Sequence, residues 1–127
     1  MEKKYRMTDE TMTLGVLGII TLHRIEAIRD FGSVKAGDKG GWIEHEGNLS
    51  HCGNCWVDDN AIVCDDAQVR GNAQIYGNAR VRGYAQVCGD AFVCENALVC
   101  GGAFVCGDAY IHWDDEVRGI VREFAQV

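Results

Sequence analysis

Alanine stands at positions 61, 67, 73, 79, 85, 91, 97, 103 and 109, and a valine or isoleucine follows two positions after each. The apolar pattern thus repeats every six residues without a slip, and it dominates the chain. Written from the aliphatic residue, three successive units read Val69-Arg70-Gly71-Asn72-Ala73-Gln74, Ile75-Tyr76-Gly77-Asn78-Ala79-Arg80 and Val81-Arg82-Gly83-Tyr84-Ala85-Gln86. Such units predict short strands joined by tight turns. Val and Ile are β-formers that fill an interior, while Gly, Asn and Asp after each outward residue accept the positive φ of a sharp corner. Alanine is the small inward residue beside the corner, where nothing larger fits.

Three such sides close a triangular coil of eighteen residues, and the next coil stacks on it at about 4.8 Å, the ordinary strand spacing. One coil cannot bury its own interior, so the stack is stable only as an array. The expected fold is all-β: a single-stranded, triangular, parallel β-helix of about three coils over residues 49–118, capped by a small β-rich segment at 1–48 and a short segment at 119–127, as one compact domain. In the head, Leu22, Arg24, Ile25, Ala27 and Ile28 alternate apolar and polar, and glycines at 32, 37, 40 and 41 interrupt them. Short strands and one helical turn are expected there, because an open coil end exposes unpaired strand edges. The tail is expected to close the other end as a helical turn or a strand.

The six-residue pattern resembles that of the hexapeptide-repeat proteins of the bacterial transferase type, over about half of the chain and ten consecutive units. The resemblance implies a left-handed β-helix, and the expected handedness comes from it alone. Leu22-His-Arg-Ile-Glu-Ala-Ile-Arg-Asp-Phe, Gly40-Gly-Trp-Ile-Glu and Asn48-Leu-Ser resemble the head of phage- and prophage-borne members often labelled acyltransferases. Acyl transfer from a coenzyme A thioester, at a site between the subunits of a trimer, is what that resemblance implies.

The eighteen-residue period sorts the outward residues onto three faces. The first stacks Trp56 and Asp58, Gln74 and Tyr76, Phe92 and Cys94, Tyr110 and His112. The second carries Ile62, Cys64, Arg80, Arg82, Leu98, Cys100, Glu116 and Arg118, and the third Gln68, Arg70, Gln86, Cys88, Phe104 and Cys106. Tyr76, Phe92, Cys94, Tyr110 and His112 form an apolar patch that a soluble monomer would not leave bare without reason. Either the head or tail folds over it, or a subunit or partner covers it. Tyr76, Phe92 and Tyr110, with Leu98 and Phe104 on the other faces, are therefore the candidate interface residues of a homo-oligomer, a dimer or a trimer.

Charge adds a second theme. The formal net charge is −7, and the repeat from Val57 to Val117 carries essentially all of it, with ten acids against Arg70, Arg80 and Arg82. This argues against direct binding to nucleic acid or an anionic membrane, since both attract a positive surface. Asp58, Asp59, Asp65, Asp66, Asp90, Glu95 and Asp108 fall at corners, where Asp suits the backbone and keeps the surface soluble. The functional alternative is an acidic rod that imitates a nucleic-acid backbone and occupies the groove of a basic nucleic-acid-binding protein. With a phage-like head, an inhibitor of a host defence complex, CRISPR effectors included, is one version of that reading.

Chemistry is sparse. No loop interrupts the repeat between Val57 and Glu116, although the acyltransferases of the family resemblance carry a catalytic histidine on or near such a loop. His112, beside Cys94 on the neighbouring coil, is the one candidate base and thiol pair, and it lacks a third orienting group. His51-Cys52-Gly53-Asn54-Cys55 holds one CxxC, with only His45 near it, short of the four ligands of a structural zinc. Cys55 takes the inward position that alanine holds later, which leaves Cys52 outside. Cys88 and Cys106 stack on adjacent coils at a spacing compatible with a disulfide. The start of the chain lacks a secretory pattern, and the run from Leu14 to Ile20 is short of the roughly 20 residues that span a bilayer. Seven cysteines without paired spacing then suit a reducing cytoplasm, that of the host if the chain is phage-encoded.

The expectation is a non-enzymatic β-helix that binds a protein partner through its acidic corners or its aromatic face, without metal or cofactor. The alternatives are a hexapeptide-type acyltransferase using coenzyme A thioester, and a structural rod that associates with itself.

Overall fold

The computed structural model describes residues 2–15 and 19–122. Three longer strands open the chain, β1 (Tyr5–Leu14), β2 (Ile20–Ala27) and β3 (Lys39–Ile43), followed by a 3-10 turn at Glu46–Asn48. Each six-residue unit then forms one two-residue strand: β4 (Trp56–Val57), β5 (Ile62–Val63), β6 (Gln68–Val69), β7 (Gln74–Ile75), β8 (Arg80–Val81), β9 (Gln86–Val87), β10 (Phe92–Val93), β11 (Leu98–Val99), β12 (Phe104–Val105), β13 (Tyr110–Ile111), β14 (Glu116–Val117) and β15 (Ile120–Val121). These strands pair in parallel with those one coil away, giving sheets ordered β4-β7-β10-β13 and β6-β9-β12-β15. The third sheet runs β1-β2-β3-β5-β8-β11-β14.

Side-chain chemistry explains the coil. The second residue of every strand from β4 to β14 points inward and is buried, as is each alanine from Ala61 to Ala109. Backbone donors of one coil bond to carbonyls of the next, as in Gln74 N to Ala91 O at 2.9 Å and Tyr76 N to Val93 O at 2.9 Å, so the ladder satisfies the backbone without helices. At each corner from 59 to 113, the residue two after the inward aliphatic holds φ between +54° and +70°. Gly89 shows why glycine recurs there: a Cβ would lie 2.7 Å from the backbone nitrogen of Gly107. Asp59 and Asp65 hold the same conformation, and their Oδ2 atoms accept from the backbone N–H of Gly77 and of Gly83, both at 3.0 Å.

About four coils are stacked, since the twelve strands β4 to β15 fall three to a coil, and the head adds β3 and Leu49 in front of them. β3 lies parallel to β5, with Trp42 opposite Ile62 and Ile43 opposite Val63, and Leu49 bridges Val69. Gly41 permits this approach, since a Cβ there would sit 2.7 Å from Ala61 O. At the far end the coil shortens: β15 pairs Ile120 with Phe104 and Val121 with Val105, sixteen residues on instead of eighteen.

The hairpin of β1 and β2 extends the third sheet beyond the first coil. Its inner side adds Tyr5, Ile25 and Ala27 to the core that runs through the coils, together with Phe31 and Val34. Its outer side gathers Met12, Leu14, Ile20 and Leu22 with Trp42, Ile62 and Cys64. Asn48, fully buried, joins head to coil by accepting from the backbone N–H of Glu44 and His45 and donating to Asp65 O and Ala67 O. Among the described residues no helix is long and apolar enough to cross a membrane.

Candidate functional site

The first face changes character along its length. At its start Trp56 is 3% exposed, because the Phe31 and Tyr5 rings lie edge-on to it at 5.3 and 6.4 Å. Two coils later in the same column, Phe92 is 44% exposed. Its ring meets Tyr76 and Tyr110 edge to face, both at 6.4 Å, a favourable aromatic geometry. Tyr110 packs on His112 at 4.6 Å, and Trp113, 68% exposed, lies 6.4 Å beyond. The patch expected from the eighteen-residue period is thus assembled, and among the described residues the head covers only its Trp56 end.

Tyr76, Phe92 and Tyr110 line a shallow groove of about 480 Å³ together with Asp90 and Asp108. The two carboxylates come from one corner column, two residues before Phe92 and Tyr110, so backbone register alone sets them beside the rings. Glu95 adds negative charge near both phenols. Burial, followed by a hydrogen bond with Cys94, pushes the Tyr76 hydroxyl up to about 12, and the bond with Cys94 also raises that of Tyr110. Both rings therefore stay neutral donors over the whole physiological range.

The remaining interface candidates lie elsewhere. Leu98 is half-buried on the second face, and Phe104 is half-buried on the third beside Ile120, which is 66% exposed. The seven corner acids do not share one edge. Asp58, Asp59 and Glu95 follow the first face, Asp65 and Asp66 follow the second, and Asp90 and Asp108 follow the third. Asp65 and Asp66 line a separate cleft with Glu44, His45, Gly83 and Tyr84, while Asp58 lines one with Asp38, Lys39 and Trp56.

Cys94 is buried, and its thiol is the hydrogen-bond partner of the Tyr76 and Tyr110 phenols. His112 turns instead toward Tyr110, with its Nδ1 buried and unpartnered. Cys52 is exposed and Cys55 is buried, and the Cys55 thiol faces Ser50 O, Cys52 O and Val69 O. His51 stacks on Tyr5 at 4.1 Å, with Nδ1 accepting from Lys4 N and Nε2 beside Glu46, so it serves the head-to-coil junction. Burial raises the Cys88 thiol, which is also hydrogen-bonded with Cys106 on the next coil.

Three features lay outside the sequence reading. Trp113 occupies a corner with φ +54°, a place suited to glycine or Asp, so nothing in the repeat marked it as part of the patch. Charge alone groups Asp90 and Asp108 with the other corner acids, whereas their register places them in the aromatic groove. Lys4, fully buried, carries no periodic signal at all.

Residues 73–89, which hold β7, β8 and β9 and make one turn of the coil, match the family model described as YdcK Beta solenoid repeat. No curated protein matches the chain. The matched turn and the stacked parallel coils together make this chain a β-solenoid repeat protein.

Proposed function

We propose that this chain is a non-enzymatic binding protein that docks a basic segment of a protein partner in the groove of its first face. The observation that carries the reading is the joining of three aromatic rings with two carboxylates in one open groove. A lysine or arginine side chain lying there meets ring faces, which attract cations, and carboxylates that pair with them. The net charge of −7 draws such a segment in from a distance. Flat solenoid faces suit extended partners, because rigid coils hold the contact groups in place without ordering costs. Nucleic-acid-binding proteins are one source of basic segments, and the first-face groove is where such a protein would be held.

The test uses immobilised protein and two peptides of equal length, one rich in arginine and one rich in glutamate. The arginine peptide should be retained at low salt and released as salt screens the carboxylates. Phe92→Ala, and separately Asp90→Asn with Asp108→Asn, should each weaken retention about tenfold, a loss of about 1.4 kcal/mol. Equal retention of the glutamate peptide, or binding indifferent to both variants, would sink the proposal.

A further inference from the structure

At the inward corner position where alanine stands in the nine units from 61 to 109, the first unit has Cys55. This is the coil into which Lys4 reaches. Both residues are fully buried. Lys4 Nζ donates to Cys55 O at 2.7 Å and Gly53 O at 3.1 Å, stands 3.4 Å from Cys55 Sγ, and lies 4.5 Å from the centre of the Phe31 ring. A buried ammonium is ordinarily matched by a carboxylate. The titratable groups acting on Lys4 are instead the thiols of Cys55 and Cys52 and the guanidinium of Arg29. Burial is the largest influence on the amine and lowers its proton affinity, which favours the neutral, nucleophilic form.

From this geometry we infer that Lys4 and Cys55 form a modification site, an oxidative cross-link in which one oxygen atom bridges Nζ and Sγ. The oxidant is dioxygen or a peroxide. With dioxygen, the ammonium and the thiol lose three protons between them as N–O and O–S bonds form. One oxygen atom enters the bridge, the other takes two of the protons to leave as water, and the third proton is released. Four electrons pass from nitrogen and sulfur to the two oxygen atoms. With hydrogen peroxide, two molecules accept the same four electrons, and three waters and one proton leave. An inserted oxygen suits the 3.4 Å gap, whereas a direct S–N bond would force the buried atoms far closer together. Such bridges return to amine and thiol with thiol reductants, so the product is a reversible tether between the N-terminal strand and the first coil, across 51 residues of sequence.

The whole chain, treated with air-saturated buffer or hydrogen peroxide, is measured by intact mass and by peptide fragmentation. The expected product is heavier by about 14 Da, one oxygen gained and two hydrogens lost. It should join the peptides holding Lys4 and Cys55 and disappear with dithiothreitol. Cys55→Ala, which restores the residue used by the other units and so should fold, must abolish it, as must Lys4→Arg. Cys52→Ser must leave it intact. A product confined to a Cys52–Cys55 disulfide or to cysteine oxo-acids, or a joined peptide that persists in Cys55→Ala, overturns the assignment.

Discussion

Trp56 and Phe92 sit on the same face, in the same column of the solenoid, two coils apart, and they differ in what lies over them. The hairpin of β1 and β2, with Phe31 from the following loop, closes over Trp56, and Lys4, Tyr5 and, from the 3-10 turn, Asn48 tie the first coil down. Phe92 meets the rings of Tyr76 and Tyr110 from its own face, with Asp90 and Asp108 along the groove, and stays 44% exposed. One repeat therefore builds, from the same backbone, an end that the head covers and an open aromatic face, the face proposed above for recognition. Outward residues lie on the coil without shaping it, so they are free to serve either role according to what covers them.

The largest way to break this comparison is Trp56→Ala. It removes a buried ring together with its contacts to Tyr5 and Phe31 and should cost about 4 kcal/mol in urea unfolding. Asn48→Leu should come next at about 3 kcal/mol, because four backbone groups at the junction lose their partner. Gly89→Ala, in the open coils, should cost about 2 kcal/mol through its left-handed backbone and the approach of Gly107. A smaller loss for Asn48→Leu than for Gly89→Ala would mean that the head is an ornament and the coil stands without it.

A pH titration separates the two ends further. Burial, with help from the charges of Asp65 and Glu44, pushes the Cys64 thiol from its ordinary 9.0 up to about 11. The folded chain then holds this proton more tightly than the unfolded one. Its contribution to stability is fully present below pH 9 and is lost as pH rises through about 11. The loss between pH 9 and about 11 is on the order of 3 kcal/mol. Cys64→Ala should flatten that part of the stability-against-pH curve measured by denaturant midpoint, and an unchanged curve would show that the thiol is not held protonated by the fold.

The coils were legible in the sequence because one alanine and one aliphatic residue per unit leave no other register, and the first face followed from counting eighteen. The first coil was not legible. Its strand, Lys39–Ile43, joins through Gly40 and Gly41, and no alanine precedes Ile43 at the repeat spacing. Leu49 enters by a single bridge. The site was half legible for a different reason. The period of eighteen gathers the rings, but charge alone groups the corner acids, and only their register brings Asp90 beside Phe92 and Asp108 beside Tyr110. Lys4 follows Lys3, and nothing local tells the buried one from its exposed neighbour.

The smallest stability effect is the sharpest test of the division. Phe92→Ala deletes a ring 44% exposed, with an inward neighbour, Val93, that is fully buried without it. The loss should stay below about 1 kcal/mol, since partial exposure forfeits most of the burial gain and only edge contacts with Tyr76 and Tyr110 go. The same change should cost the arginine peptide about tenfold in affinity, because the ring forms the middle of the groove. Trp56→Ala should behave oppositely on a denaturant scale and leave the peptide affinity of the folded fraction unchanged. If Phe92→Ala instead unfolds the chain as Trp56→Ala does, the ring is part of the fold, and the open face is not a recognition surface.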